Sequence, residues 1–369
     1  MSIDLKQKPI MHIDTGREWR GGQAQVWNLC RMLQDAGMAQ VLVCPSGSPL
    51  AQRARESGIP LYESSLRGEF NILAARRLRR LCAERQIAII HCHDAHAHSI
   101  ARMVAGKTAP QIVVSRRVDF AISKGWLSRR KYLDSRIHYL AISNGVRDVL
   151  IEGGVDPDRI HLVPSGVDAD RFDESVGSDA LREEFNLAPD APVIGTIGSL
   201  VDHKGHCYLV DAAPKIREAF SDAQFFIVGD GPLRPEIETQ IARLGLDDAF
   251  YLPGFRSDLE TFLKGFDVFA LPSHLEGLCT SLVDAMLFRL PAVGCRTGGV
   301  PDLIIDGETG LLVESKNPDA LAAAIIRLLQ DSNLAKALAD KAHAHAIQGF
   351  TMQSMARKTM DAYRDILHK

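Results

Sequence analysis

Glu276 and Asp284 flank the start of a helical pattern near Thr280, just after an apolar run ending at Pro272 and Ser273. A helix start leaves backbone N–H groups free and carries a partial positive charge, so it suits a phosphate. Carboxylates on either side of it can grip hydroxyls. A ligand with a diphosphate between two sugars fits that chemistry. Upstream, Gly198–Gly205 reads as strand, loop and helix start, with Lys204 and Gly205 at the last step. A lysine there can set its ammonium on a phosphate while the glycine lets the backbone approach closely. In the loop Thr15–Gln23, Gly21 and Gly22 directly precede another helical pattern and can bring N–H groups to an anion.

His91, His93, His96 and His98 bracket Asp94 at the end of a strand. The strand puts His91 and His93 on one face, but the chain then turns, and no cysteine or second carboxylate cluster completes a tetrahedral set. No metal is therefore assigned. A histidine bonded within its own loop is the plainer reading.

These groups need a frame, and the chain supplies one in short β-rich runs that alternate with longer amphipathic segments, the pattern of βαβ units and parallel sheets. Strands are expected at Ile10–Asp14, Gln40–Cys44, Leu61–Glu63, Ile87–His93, Gln111–Ser115, His138–Ile142 and Arg159–Val163. The second half continues with Val193–Gly198, Gln224–Val228, Phe250–Leu252, Val268–Leu271, Ala292–Gly294 and Gly310–Val313, then helix from Pro318 to Leu367. The fold class is α/β: two doubly wound Rossmann-like domains with an interdomain cleft. The first takes 1–168, a polar linker 169–191, the second domain 192–350, and a C-terminal helix 351–369 returns to the first. Ligands in such sheets bind beyond the carboxyl ends of the strands.

At 369 residues, 46% hydrophobic and 24% charged, the chain has the composition of a globular protein of about two domains. No apolar run nears the roughly 18 residues of a spanning helix, and MSIDLKQKPI lacks the apolar core of a signal peptide. The seven cysteines are scattered with no CxxC pair, which fits a reducing cytosol. The net charge of −3 hides an asymmetry: residues 67–136 carry fifteen Lys or Arg against five Asp or Glu, and 137–369 carry twenty-one against thirty-five. A basic face attracts nucleic acid, anionic lipid or an anionic substrate. Its segment 123–136 mixes Trp126, Leu127, Tyr132 and Leu133 with three Arg and two Lys, as suits a surface on anionic lipid, a site for a phosphorylated acceptor, or aromatics packed under a lid.

Ordered along the chain are Gly21-Gly22, AISNGV at 141–146, VPSGVD at 163–168, GSLVDHKG at 198–205, VGDGP at 228–232, LPGF at 252–255, EGLCTSLVD at 276–284 and GGVPD at 298–302. Together they resemble the retaining glycosyltransferases of family 4, of GT-B fold, over nearly the whole chain. The resemblance implies that Glu276 contacts donor-sugar hydroxyls near the reacting carbon. Asp284 takes the place of a glutamate that holds ribose hydroxyls, one methylene shorter. The N–H groups from Gly277 through Leu278, Cys279 and Thr280 meet the diphosphate, with Lys204, while the Gly21-Gly22 loop closes over it. Gly254 and Phe255 belong to the donor site. Ser199 stands where many members have an arginine, which leaves Lys204 alone or with a substitute such as His203. His93 faces the transferred sugar, and Arg116, Arg117 and Asp94 lie on the acceptor side.

The expected activity is transfer of a sugar from a nucleotide sugar to a hydroxyl of a glycan or lipid-linked acceptor, without metal or other cofactor. The expected place is the cytoplasm, with peripheral contact on anionic membrane through 67–136 and no nucleic-acid partner. The rivals are an epimerase, which would lack the Glu276 to Asp284 element, a phosphorylase, which would need a pyridoxal-binding lysine environment, and a sugar-nucleotide-binding protein without transferase activity.

Overall fold

Runs of Ile, Val and Leu bounded by Gly, Pro and Asn make the strands of two parallel sheets, and the helices between them cover the faces. The computed structural model describes residues 4–66, 68, 71–105, 110–122, 125–170 and 175–368. Arg67, Lys107 and Lys124 of the basic stretch, the side chain of Leu127, and residues 171–174 of the expected linker lie outside them. Contacts divide the chain into one unit of Met1–Gly166 with Met352–Lys369 and another of Val167–Thr351.

The first unit contains β1 (Ile10–Ile13), β2 (Gln40–Cys44), β3 (Leu61–Glu63), β4 (Ile89–Cys92), β5 (Gln111–Arg116), β6 (Ile137–Ala141) and β7 (Ile160–Leu162). Among the described residues they form one sheet in the order β3-β2-β1-β4-β5-β6-β7, every pair parallel. Every residue of β1, β2, β4 and β6 is buried, as expected of parallel strands covered on both faces. The strand order reverses between β1 and β4, and their register sets His12 beside His91. Loops leaving those two strands emerge side by side at the end of the sheet where doubly wound folds bind ligands. Helix Gly21–Asp35 buries Val26, Leu29, Cys30 and Leu33, a helical spacing. Helix Met352–His368 adds Met355, Ala356, Tyr363 and Ile366 to the cluster around Leu29, Leu33 and Met38. Each large side chain buried there contributes roughly 1.5–3 kcal/mol.

The second unit contains β8 (Val193–Ile197), β9 (Gln224–Val228), β10 (Phe250–Gly254), β11 (Val268–Leu271), β12 (Ala292–Cys295) and β13 (Leu311–Val313), ordered β10-β9-β8-β11-β12-β13. Its reversal falls between β8 and β11. Phe225 stacks on Phe250 at 4.8 Å and Phe226 on Tyr251 at 4.7 Å, which fixes β9 against β10.

Several expectations differ in detail. His93 falls just beyond β4 rather than within it. The basic segment contains an unforeseen helix, Trp126–Tyr132, whose seven residues carry too many charges for an apolar stripe to show. The final helical stretch is three helices, Pro318–Gln330, Ser332–Gly349 and Met352–His368, because Asp331 leaves the first and caps the second through the Leu334 N–H at 2.9 Å. The described part of the expected linker belongs to the second unit: helix Ala180–Glu184 buries Leu181, and Arg256 holds Glu184 at 2.5 Å. No described helix is long and apolar enough to cross a membrane.

Candidate active site

In the second unit the loops after β8 and β11 meet because their strands are neighbours. Gly205 makes the approach possible. It has φ +65°, and a Cβ there would lie 2.3 Å from the Pro272 carbonyl oxygen, which backbone cannot yield. The N–H groups of His274 and Leu275 donate to the His203 carbonyl at 3.0 and 3.4 Å and tie one loop to the other. Lys204 Nζ thereby reaches Glu276 Oε2 at 2.6 Å, with the side chains 18% and 9% exposed. The Ser273 hydroxyl donates to the same oxygen at 3.3 Å, and the Gly299 N–H, from GGVPD, donates to the Glu276 carbonyl at 2.9 Å. Burial works against the charge on Lys204, but the Glu276 carboxylate that it bonds outweighs burial, and the lysine lies above its ordinary value.

Helix Thr280–Leu287 starts four residues beyond Glu276, with no side-chain cap at Cys279. Its first N–H groups keep their donor capacity. Ser281 donates to the Ile197 carbonyl at 2.8 Å and pins this helix start to the end of β8. Asp284 is 3% exposed, one turn further in, and burial keeps the Cys279 thiol protonated. Gly254, at φ +79°, ends β10, and Phe255 beyond it is 82% exposed, an aromatic face with little covering it. Ser199 is exposed, and its carbonyl accepts from His206 Nε2 at 3.2 Å.

In the first unit the loops after β1 and β4 meet in the same way. Asp94 accepts from the Thr15 N–H at 2.6 Å and the Thr15 hydroxyl at 2.9 Å, and caps helix Ala95–Val104 through the N–H groups of His96 and Ala97 at 2.8 Å each. Its role here is to tie two loops and start a helix. Gly21 and Gly22 form the first turn of helix Gly21–Asp35, where added Cβ atoms would meet nothing within 4 Å. The crowded glycine of that loop is Gly16, where a Cβ would fall 2.2 Å from Gln23 Nε2 and 2.9 Å from Asp14 Oδ1.

His12, His91 and His93 form a buried cluster. His12 Nδ1 lies 3.0 Å from His93 Nε2, and the rings of His91 and His93 are 4.1 Å apart. His91 bonds Tyr363 through Nδ1 at 2.7 Å and Ser115 through Nε2 at 2.8 Å. Arg117 Nη1 donates to the His93 carbonyl at 3.3 Å, with Nη2 3.5 Å from His93 Nδ1. Burial lowers His12 to about 3 and carries His91 and His93 well below the usual histidine value, so all three are neutral. Burial also brings Arg117 down to about 10 against the support of Asp14 and Asp94. Arg116 turns away, to the Tyr132 hydroxyl at 3.1 Å and the Phe120 carbonyl at 2.5 Å.

One nitrogen from each of His12, His91 and His93 lies within 4.8 Å of the others, a spacing a metal could bridge. The residues fit such an ion poorly. Both His91 nitrogens and His93 Nε2 already have protein partners, and a guanidinium sits beside the fourth nitrogen. His96 is exposed, and His98 is buried between Tyr132 and Tyr139 at ring distances of 5.4 and 6.3 Å, so neither joins the cluster. The sequence reading overlooked His12, Ser115 and Tyr363. The signal it could have used was a histidine on the strand that becomes the neighbour of His91.

Two family models together cover most of the chain: Glycosyltransferase Family 4 over residues 19–171 and Glycosyl transferases group 1 over 177–345. An Escherichia coli UDP-Gal:alpha-D-GlcNAc-diphosphoundecaprenol alpha-1,3-galactosyltransferase is 25% identical over 88% of this chain and 89% of its own length. An Alpha-D-kanosaminyltransferase of Streptomyces kanamyceticus is 32% identical over 50% of this chain, which spans about half (48%) of that relative. Among solved structures, a glycosyltransferase from Rickettsia africae superposes with a TM-score of 0.86 at 21% identity, covering 98% of both chains. Anabaena Alr3699/HepE, solved with UDP, follows with a TM-score of 0.85 at 19% identity, over 96% of this chain and 99% of that one. With one model matched to each half and both sheets built as in these proteins, the chain belongs to the family 4, group 1 glycosyltransferases of GT-B fold.

Proposed function

We propose that the chain is a retaining glycosyltransferase that moves a sugar from a nucleoside-diphosphate sugar to a hydroxyl of a glycan or lipid-linked acceptor. The observation that carries this reading is the Lys204–Glu276 pair at 2.6 Å beside the uncapped start of helix Thr280–Leu287. Without donor, each charge neutralises the other. A diphosphate at the helix start competes for the ammonium, and Glu276, released from it, turns to the hydroxyls of the donor sugar. Asp284 then holds the ribose and Phe255 offers its face to the base. The anomeric carbon–oxygen bond to the diphosphate breaks and a bond to the acceptor oxygen forms on the same face. The acceptor proton goes to the departing diphosphate. Positioning and charge stabilisation do most of this work.

The diphosphoundecaprenol-linked sugar in the name of the Escherichia coli relative supports a lipid-linked acceptor. So does helix Trp126–Tyr132, where Trp126 is 69% exposed beside exposed Arg129 and Arg130. We read this helix as a contact with the anionic inner face of a membrane, where each basic residue adds about 1 kcal/mol. The reading needs no metal, so turnover should persist in EDTA; loss of activity that added cation restores would overturn that part.

A thermal-shift screen of nucleoside diphosphates and their sugars tests the whole. A true donor at 100 times its dissociation constant adds about 2.7 kcal/mol. Failure of every nucleotide to raise the melting temperature would remove the donor site from the second unit.

A further inference from the structure

We infer that His12 is a positioning residue for the proposed transfer: it takes the Nε2 proton of His93 in a hydrogen bond and so leaves His93 Nδ1 as a fixed acceptor. The inference rests on the reading of His93 as a sugar-facing residue. Three observations lead to it. The two rings are joined Nδ1 to Nε2 at 3.0 Å and stack at 17°. Arg117 Nη2 lies 3.5 Å from His93 Nδ1, and a guanidinium can only donate. His12 Nε2 is buried and meets no partner among the described residues.

The proton positions follow from these contacts. The long Arg117 contact disfavours a proton on His93 Nδ1 only weakly, and the closer His12 Nδ1 at 3.0 Å completes the preference by accepting at Nε2, so the neutral ring carries its proton on Nε2. That N–H points at His12 Nδ1, which must accept. His12 then carries its own proton on Nε2, the atom left without a partner. A buried orphan donor is costly, and native proteins rarely keep one without a use. Here the use is that a second neutral histidine, unlike a carboxylate, fixes the tautomer of the first without adding a buried charge. His12 holds His93 Nε2 at 3.0 Å, and Arg117 donates to the His93 carbonyl at 3.3 Å. The long 3.5 Å contact leaves Nδ1 able to accept from a sugar hydroxyl.

The test uses the full chain with 15N-labelled histidine and three variants. The amide oxygen introduced by His12→Asn falls near the position of Nδ1 and can still accept. His12→Gln places its polar atoms near the position of Nε2, and His12→Leu keeps bulk without an acceptor. His93 is assigned by loss of its signals in His93→Gln. We expect the Nε2–H tautomer in the parent and in His12→Asn, and a tautomer mixture in His12→Leu and His12→Gln. Turnover of the donor identified in the nucleotide screen should fall about tenfold to a hundredfold in His12→Leu with little change in KM, and return to within a few-fold of the parent in His12→Asn. A single unchanged tautomer in a folded His12→Leu overturns the inference. So does a shifted tautomer with unchanged turnover, or equal losses in all three variants. If no nucleotide sugar is turned over at all, the proposed function falls, while the tautomer measurement still decides whether His12 governs His93.

Discussion

Lys204 and Glu276 carry opposite charges that neither solvent nor distance screens, so changing one exposes the other. Lys204→Ala should weaken nucleoside diphosphate binding by about 1.5–3 kcal/mol and nucleoside binding scarcely at all, because the lost bond is to phosphate. Titration calorimetry with both ligands separates the two, and equal losses would move Lys204 off the diphosphate. The same variant should lose about 3 kcal/mol of stability, since it leaves the Glu276 carboxylate buried without its partner. Lys204→Met combined with Glu276→Leu should recover the stability but not the binding. Glu276→Gln keeps shape, so donor affinity should fall modestly while turnover drops about a hundredfold, as for a group that acts mainly in the transition state. A large KM effect with normal kcat would make Glu276 a ground-state binding group. The helix start at Thr280 and the carboxylates around it could be read from the sequence because they are local. The ion pair could not, since its members lie 72 residues apart and meet only through the order of β8 and β11. His12 was missed for the same reason: nothing near it in the chain says which strand will be its neighbour.

At the scale of elements, strands buried on both faces announce themselves as apolar runs, and β2, β9 and β11 were legible to the residue, as was the half-buried β3. Helix Trp126–Tyr132 was not. Its residues serve a surface, and its basic side chains have different tasks. Lys131 Nζ donates to the Ala95 carbonyl at 2.7 Å, the start of helix Ala95–Val104, and Arg130 lies over the Trp126 ring at 5.5 Å. Replacing Arg129 and Arg130 with Ser should therefore cut binding to anionic vesicles by roughly 1 kcal/mol per charge without unfolding the chain, and the effect should shrink as salt rises. Lys131→Ser should in addition lower the melting temperature. Unchanged vesicle sedimentation together with unchanged acceptor kinetics would return the helix to an ordinary solvated surface. A loss of acceptor turnover with vesicle binding intact would point to a soluble, anionic acceptor.

The two units repeat one device, a reversal of strand order that brings two loops together, but they fill it with different chemistry and so should answer acid differently. The first unit buries His12, His91, His93 and His98, with burial lowering His12 and His98 to about 3 and the other two well below the ordinary value. The second buries His206, lowered by burial to about 4. A histidine held neutral in the fold but free to protonate once unfolded gives the unfolded state more bound protons at pH values below about 6.5. Stability therefore falls as pH drops through that value and goes on falling until the folded pKa is reached. Each such group costs about 1.4 kcal/mol for every pH unit within the window. Among the described residues, four histidines lowered by burial in the first unit against one in the second are enough to separate their transitions, since a domain holds only about 5–15 kcal/mol in reserve. We expect the first unit to unfold near pH 5 while the second remains folded. Hydrogen exchange as a function of pH would resolve it, with protection lost first in β1, β4 and helix Met352–His368. His98→Phe should shift that loss to lower pH if its packing on Tyr132 and Tyr139 is kept. Simultaneous loss of protection in both sheets would mean that the buried histidines do not set the acid limit of this fold.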